Sequence, residues 1–362
     1  MRHTSNELYV DIVETLSVTI APSSRPIAAF AYGTIAFTSK ISGVPDILLV
    51  LSSPSGKHNI ESIMELPVFH PCVRLAKWKE RPGELSFIPP DGRFILAGYE
   101  VDLLPFTSGK PLNGSANLRL PLYIEVKTSL GPIGADFEIR LFISKIAGTS
   151  NNVTSSGSSS RSGGRLGGSS SGLGNSGSSS PALDDLVVTI PVAPSVKNLS
   201  DIRASRGETS YNPGDREIEW SIKSKEASAG TATLRCSTVA IFDGEEDLEG
   251  NGFSFDGFRK GHTYDGNENE GDAYQVSSTP PKATTPTDTK MERDERRVEK
   301  NKILMPSSAR VSFSVKGWLP SGIRVESVTV DARKSRGLGE GVRPYKGVKY
   351  LCISNGGVEI RC

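Results

Sequence analysis

The 362 residues suffice for two domains, or for one domain carrying large insertions. Lysine and arginine total 42 against 41 acids, a formal charge of +1, so no global field draws the chain to nucleic acid. A hydrophobic share of 36% is low for a compact globule, and two polar tracts account for the deficit.

The opening, Met1 to Glu7, has no apolar signal core, which predicts a chain that stays out of the secretory lumen. Cys72, Cys236, Cys352 and Cys362 lie far apart without a CxxC pair. Reduced cytosolic thiols are expected, with neither a disulfide framework nor a zinc site. The longest strongly apolar run, Ile47 to Leu51, is bounded by Pro45 and Pro54; it suits a buried strand and is too short to cross a bilayer.

From Glu7 to about Val101 short β-like runs alternate with turn residues: LYVDIVETLSVTI, PIAAFAYGTIAFTSKI and DILLVLSS. LSFIPPDGRFILAGYEV reads as a hairpin, two strands about a Pro89-Pro90-Asp91-Gly92 turn. LRLPLYIEVKTSL and ADFEIRLFISKI continue the pattern. Residues 148–182 are Ser, Gly and Asn with few apolar groups, which predicts a flexible loop. Strands resume in LDDLVVTIPVAPSV, REIEWSIKS and AGTATLRCSTVAIF. A second tract, 244–302, is acidic, then Pro/Thr-rich, then of mixed charge (KMERDERRVEKNK), and is expected to be disordered rather than a solvated helix. RVSFSVKGWLP and the tail from Ser321 to Cys362 close the chain; the tail reads as two short strands and a final hairpin. With no long amphipathic helix, the pattern predicts an all-β antiparallel architecture. A sheet edge of this kind is a surface for an extended peptide.

No group of residues stands out for catalysis. His70 has no second histidine or acid at suitable local spacing, so it reads as a packed residue. Asp265 to Gly271 suggests a calcium loop, but glycine falls one place late and Val276 replaces the twelfth-position acid. The glycines from Gly163 to Gly177 follow no strand and open no helix, so they cradle no phosphate. A β-sandwich hydrolase is the enzyme-class alternative, without an evident nucleophile–base–acid set.

NELYVDIVE, ISGVPD (Ile41 to Asp46), FHPCVRLAKW (Phe69 to Trp78), LSFIPPDGRF (Leu85 to Phe94), IEWSI around Trp220 and the tail stand in the order found in mu-homology domains. The sequence thus resembles the medium (mu) subunit family of clathrin adaptor complexes. PYKGVKY (Pro344 to Tyr350) resembles the mu subunit of the third adaptor complex; the plasma-membrane type has an aromatic at Gly347 and a lysine at Thr38. Family subunits begin with a longin-type domain, and this sequence opens where their second half starts, as a fragment, a truncated gene model or a free-standing domain would.

The resemblance implies an elongated mu-homology domain of two antiparallel β-sandwich subdomains, the second inserted into the first. Residues 1–118 and 308–362 form subdomain A; 119–307 form subdomain B, with flexible tracts 148–182 and 244–302. It implies a non-enzymatic cargo-recognition subunit without cofactors, cytoplasmic and peripheral on Golgi and endosome membranes and coated vesicles, serving transport to the vacuole or lysosome. Implied partners are Tyr-x-x-Φ sorting signals (Φ bulky and apolar) in cytosolic tails of membrane cargo, the other adaptor subunits and an Arf-type GTPase, with no nucleic acid. The alternative is a free-standing scaffold domain that binds endocytic or trafficking proteins without reading a tyrosine signal.

Positions 1 and 4 of an extended peptide point to opposite faces, so the receptor needs two separate pockets. Tyr9 and Asp11 share one face of the first strand, and Gly347 and Lys349 share one face of the tail. Paired, these four make the tyrosine pocket: Tyr9 packs on the ligand ring, Asp11 accepts its hydroxyl proton and the Lys349 stem flanks it. Val10, Val325, Val328, Val348 and the Lys346 stem line the Φ pocket, and the peptide backbone adds as a strand to 346–350. Asp11 should repel phosphotyrosine. Gly347 and Thr38 should leave the tyrosine pocket less walled, with Lys40 two residues on along the same face.

Overall fold

The computed structural model describes residues 3–54, 60–104, 118–146, 181, 183–241, 286–338 and 344–362, the side chains of 286–293 excepted. The expected flexible tract 148–182, apart from Pro181, lies outside the described residues, as do 244–285 with the rejected calcium loop.

The described chain is mostly strand. Its first half contains β1 (Glu7–Ile20), β2 (Pro26–Lys40), β3 (Ile47–Ser52), α1 (Ile60–Ile63), β4 (Glu65–Phe69), α2 (Leu75–Glu80), β5 (Glu84–Phe87), β6 (Gly92–Asp102), β7 (Leu122–Leu130) and β8 (Asp136–Ile143). The second half adds β9 (Leu183–Pro191), β10 (Val196–Ala204), β11 (Glu208–Asn212), β12 (Glu217–Ile222), β13 (Gly230–Ala240), α3 (Pro286–Asn301), β14 (Ser308–Lys316), β15 (Arg324–Val330) and β16 (Tyr345–Arg361). Nine strands form one sheet in the order β11-β12-β9-β14-β16-β1-β2-β6-β4; β10-β13-β8-β7 and β15-β3-β5 form two smaller ones. Among the described residues, no helix is long and apolar enough to cross a membrane.

Strict alternation builds the central ladder. Leu8, Val10, Ile12, Leu16, Val18 and Ile20 are buried on one face of β1, while Tyr9, Asp11 and Val13 lie on the other. β1 runs antiparallel to β2 and parallel to β16. The near half of β1 packs Leu8, Val10 and Ile12 with Phe37, Leu49 and Phe87 in a first core beneath β15-β3-β5. Its far half packs Leu16, Val18 and Ile20 with Ile139, Val188 and Trp220 in a second core beneath β10-β13-β8-β7. Trp220 is fully buried and donates its indole N–H to the Arg206 carbonyl at 2.7 Å.

The two sandwiches therefore share one large sheet. β14 and the last turn-free stretch of β16, grouped with subdomain A in the sequence, place Val311, Phe313, Val358 and Ile360 in the second core.

Three expectations are corrected. The Pro-Pro-Asp-Gly segment joins no hairpin: β5 pairs with β3 and β6 with β2, in different sheets. Pro89 and Pro90 lack amide donors and favour an extended connection, which carries the chain from one layer to the other. The tail has no final hairpin either. β16 runs on through Asn355-Gly356-Gly357, which is absorbed as a bulge where β1 advances from Thr15 to Val18 and β16 from Ile353 to Val358. Gly356 has φ +64° and donates its N–H to the Ser312 hydroxyl oxygen at 2.7 Å, while a Cβ on Gly357 would collide with the Leu16 carbonyl. The charged stretch 286–301 is a helix, not a disordered tract. Its end is held from outside: Asn301 donates to the Ile133 carbonyl at 2.8 Å, and the following Leu304 is 2% exposed. His70 agrees with its reading as a packed residue: it accepts the Cys72 N–H at 3.2 Å and packs on Phe94.

Three of the resembling phrases meet in one polar contact. Asp46 of ISGVPD is 6% exposed and takes a forked pair of bonds from Arg74 of FHPCVR at 2.9 and 2.6 Å. Arg74 also donates to Ser86 of LSFIPPDG at 2.7 Å.

Gly357→Ala should lower stability by about 1–3 kcal/mol because backbone must move, whereas Gly356→Asn, with a residue that tolerates left-handed backbone, should stay within about 0.5 kcal/mol. Urea denaturation reads both. Cys236 and Cys352 are buried, and burial pushes the Cys236 thiol up to about 12. A thiol reagent on the native chain should spare both until denaturant is added, while Cys362, exposed but with its thiol pushed up to about 11 by partial burial, should react before them and slowly.

Candidate peptide-binding site

In the β1–β16 ladder Tyr9 faces Gly347 and Asp11 faces Lys349, with Val10 opposite Val348 on the reverse face. Alternation puts Tyr9, Asp11, Gly347 and Lys349 together on the outer surface. The other side of β16 is covered only in part. β14 pairs with it from Arg361 back to Leu351, where Lys316 is the partner. Gly317 then takes φ +79°, donates its N–H to the Tyr350 carbonyl at 2.8 Å and leads the chain away. Among the described residues, no strand pairs with 345–349 on the side away from β1. Such an edge offers unpaired backbone groups to an added strand. A groove of about 570 Å³ opens there, lined by Asp11, Val13, Arg93, Lys316, Val348 and Lys349 among others.

The space above Gly347 is not vacant. A Cβ there would stand 2.9 Å from Tyr9 Cδ1 and 3.6 Å from Tyr345 Cε1. The two rings are 5.9 Å apart and tilted by 56°. Tyr345, 61% exposed and two residues before Gly347 on the same face, thus supplies an aromatic wall that the sequence pattern alone does not single out. Desolvation of the ring, and then the Glu7 carboxylate beside it, push the Tyr9 phenol above its ordinary value.

Arg93 is the other addition. Tyr9 pairs with Thr38 on β2 and Thr38 with Arg93 on β6, one row across three strands. Over the short Thr38 side chain the guanidinium reaches Asp11, Nη1 to Oδ2 at 3.2 Å. The Arg93 side chain is 61% exposed, so the pair contributes at most about 1 kcal/mol. Its consequence is chemical: a phenol entering here meets an acceptor in Asp11 and a donor in Arg93. Arg93 thus sets a cation beside the carboxylate expected to repel a phosphate. Lys40 turns to Glu7 instead, at 3.9 Å. Only the register of β6 on β2 brings Arg93 here, and PPDGR read as a hairpin hides that register.

The Φ set divides. Val10 and Val328, expected to line a pocket, are core side chains at 1% and 7% exposure and offer a ligand almost no surface. Both point at the apolar layer between the nine-stranded sheet and β15-β3-β5. Val325 and Val348 pack against that layer half-buried, and Lys346 is exposed beside them. Tyr350 fixes their spacing, since its hydroxyl accepts the Val325 N–H at 3.0 Å.

A model of the adaptor complexes medium subunit family matches residues 1–362. The chain belongs to this family. Among curated relatives, the AP-3 complex subunit mu of Arabidopsis thaliana is 37% identical over 106 residues, 29% of this chain and 24% of the relative. The AP-3 complex subunit mu-2 of Homo sapiens is 38% identical over 101 residues, 28% and 22% of the respective lengths. The chain therefore matches less than a quarter of the length of these relatives. A chain of the homology model of the full-length AP-3 complex in an intermediate open conformation has TM-score 0.52 and 18% identity, covering 99% of this chain and 69% of its own. The yeast delta-COP-I mu-homology domain complexed with a Dsl1 WxWxV peptide has TM-score 0.50 and 12% identity, covering 99% and 100%. At such identities these two structures show the fold.

Gly347→Ala should tilt the Tyr9 ring away from Tyr345 and change unfolding free energy by less than about 1 kcal/mol, because the clash is with a movable ring. Loss of Tyr9–Tyr345 cross-peaks in nuclear Overhauser spectra, with an unchanged melting curve, is the expected record.

Proposed function

We propose that this adaptor medium-subunit chain reads Tyr-x-x-Φ signals in the cytosolic tails of membrane proteins. The observation that carries the reading is the open stretch 345–349 of β16 beside the Tyr9–Asp11–Arg93 cluster. The peptide adds as a strand to that stretch, giving main-chain bonds independent of sequence. Its tyrosine ring lies against Tyr9 and Tyr345 with the hydroxyl between Asp11 and Arg93. Three residues on, the Φ side chain turns toward the half-buried Val325 and Val348, flanked by the Lys346 stem. The reading assigns binding and no reaction.

The route and the assembly are part of the same proposal. Relatives named AP-3 complex mu subunits support a place in an adaptor complex beside other adaptor subunits; the proposal adds a peripheral position on Golgi and endosome membranes, recruitment by an Arf-type GTPase and service to the vacuole or lysosome. That the delta-COP-I relative takes a peptide supports peptide capture on this fold.

Calorimetric titration with a Tyr-x-x-Φ peptide tests the reading. Two small pockets and a few main-chain bonds predict a micromolar Kd, about −7 to −8 kcal/mol. Asp11→Ala should weaken binding about tenfold, the loss of one charge-assisted hydrogen bond. No heat with the wild-type chain, or equal affinity in Asp11→Ala, would remove the proposed site.

A further inference from the structure

Glu14 is a buried carboxylate that the peptide site does not touch. It is 0% exposed and lies on the inner face of β1 between the two cores, with Ile12 in one and Leu16 in the other. In its row across the sheet, Cys352 stands on one side and Gly33 and then Tyr99 on the other. Gly33 has to be glycine: a Cβ would run into the Tyr99 ring, which lies across it to donate its hydroxyl to Glu14 Oε1 at 2.7 Å. Two further donors come from one residue of the connection between β14 and β15. Ser321 gives its N–H to Oε2 at 3.1 Å and its hydroxyl to Oε1. Burial pushes the Glu14 carboxyl up, and these bonds pull it back down.

That connection decides whether the peptide edge exists. Were it to continue along the sheet beyond Lys316, β14 would cover 345–349. Instead it is tied at three points: Gly317 N–H to the Tyr350 carbonyl, Ser321 to Glu14, and Val325 N–H to the Tyr350 hydroxyl. Between the ties, Leu319 and Ile323 are buried at 6% and 1%. The last tie holds Val325 against the apolar layer on which Val348 also packs. Leu319 and Ile323 belong to the first core, so loss of the middle tie should loosen the loop without removing its apolar anchors.

We propose that Glu14 is a positioning residue for the peptide edge: through Ser321 it holds the β14–β15 connection off 345–349 and Val325 in place. This rests on the peptide reading above. The Glu14 carboxylate takes bonds from both Ser321 and Tyr99, yet only one of the two partners belongs to the loop, which gives a pair of variants to compare. Tyr99→Phe and Ser321→Ala each remove one side-chain hydrogen bond from the carboxylate; Ser321→Ala leaves its N–H on Oε2 and also loses the bond its hydroxyl accepts from the Ile323 N–H at 3.0 Å, so it should lower Tm somewhat more.

Titration of a Tyr-x-x-Φ peptide well below the melting range should show Kd raised about five- to tenfold in Ser321→Ala and within about twofold of wild type in Tyr99→Phe. Ser321→Thr, which keeps the hydroxyl, should bind as wild type does. Amide hydrogen exchange at Gly317 and Val325 should quicken in Ser321→Ala and not in Tyr99→Phe. Equal changes in Kd for the two variants, or none in either, overturn the proposal, as does equal exchange. A wild-type chain that binds no peptide while the exchange difference persists removes the peptide reading and leaves the loop latch supported.

Discussion

The parallel pairing of β1 with β16 joins segments from opposite ends of the sequence, and both the cores and the site hang on it. Closing so long a loop is less costly than it looks: entropy grows logarithmically, so doubling a loop adds only about 0.6 kcal/mol. The ladder returns far more, since the inner side chains of β1 enter both cores. The outer side chains of the same two strands form the Tyr9–Asp11–Gly347–Lys349 surface. Because strand faces alternate, a slip of one residue would bury Tyr9 and Asp11 and expose Leu8 and Val10. The apolar demand of the cores thereby fixes the position of the proposed site.

Polar groups inside the structure do a different job from the apolar ones. Asp46, Arg74 and Ser86 join three stretches of chain that leave and enter separate sheets. Glu14, Tyr99 and Ser321 join three strands or loops at the seam between cores. A buried carboxylate is costly unless its lone pairs are met, and here donors reach both oxygens of each. Such contacts add little net stability over apolar packing, but they accept only one arrangement of the loops that carry them.

The sequence makes the strand class legible because alternation is explicit in β1, β2, β8, β9 and β14. The adjacency of the outer tyrosine set follows from the same alternation once the first and last strands are paired. What escaped were features decided by long-range partners. PPDGR looks like a hairpin locally, and only the sheet register reveals a crossover that swings Arg93 toward Asp11. Asn-Gly-Gly looks like a turn, yet a strand on each side of β16 forces it into a bulge. The charged helix has no apolar stripe of its own strong enough to announce it; its anchoring groups, Asn301 and Leu304, sit at its end and dock on other elements. β10 and β11 carry polar residues on exposed faces and lack a readable pattern. Val10 and Val328 were legible as apolar, but not as wholly enclosed.

The central position of β16 also bears on how the chain is made. Until residues 345–361 have left the ribosome, β1 and β14 each face an empty lane, although everything else in the large sheet can already be assembled. During that interval two long unpaired margins, carrying Val10, Ile12 and Val18 on one and Val311, Phe313 and Val315 on the other, stand open to neighbouring nascent chains. The waiting time is set by translation of the stretch from β14 to β16, so slow codons there would lengthen the exposure, and a chaperone that shields β1 would shorten its effect.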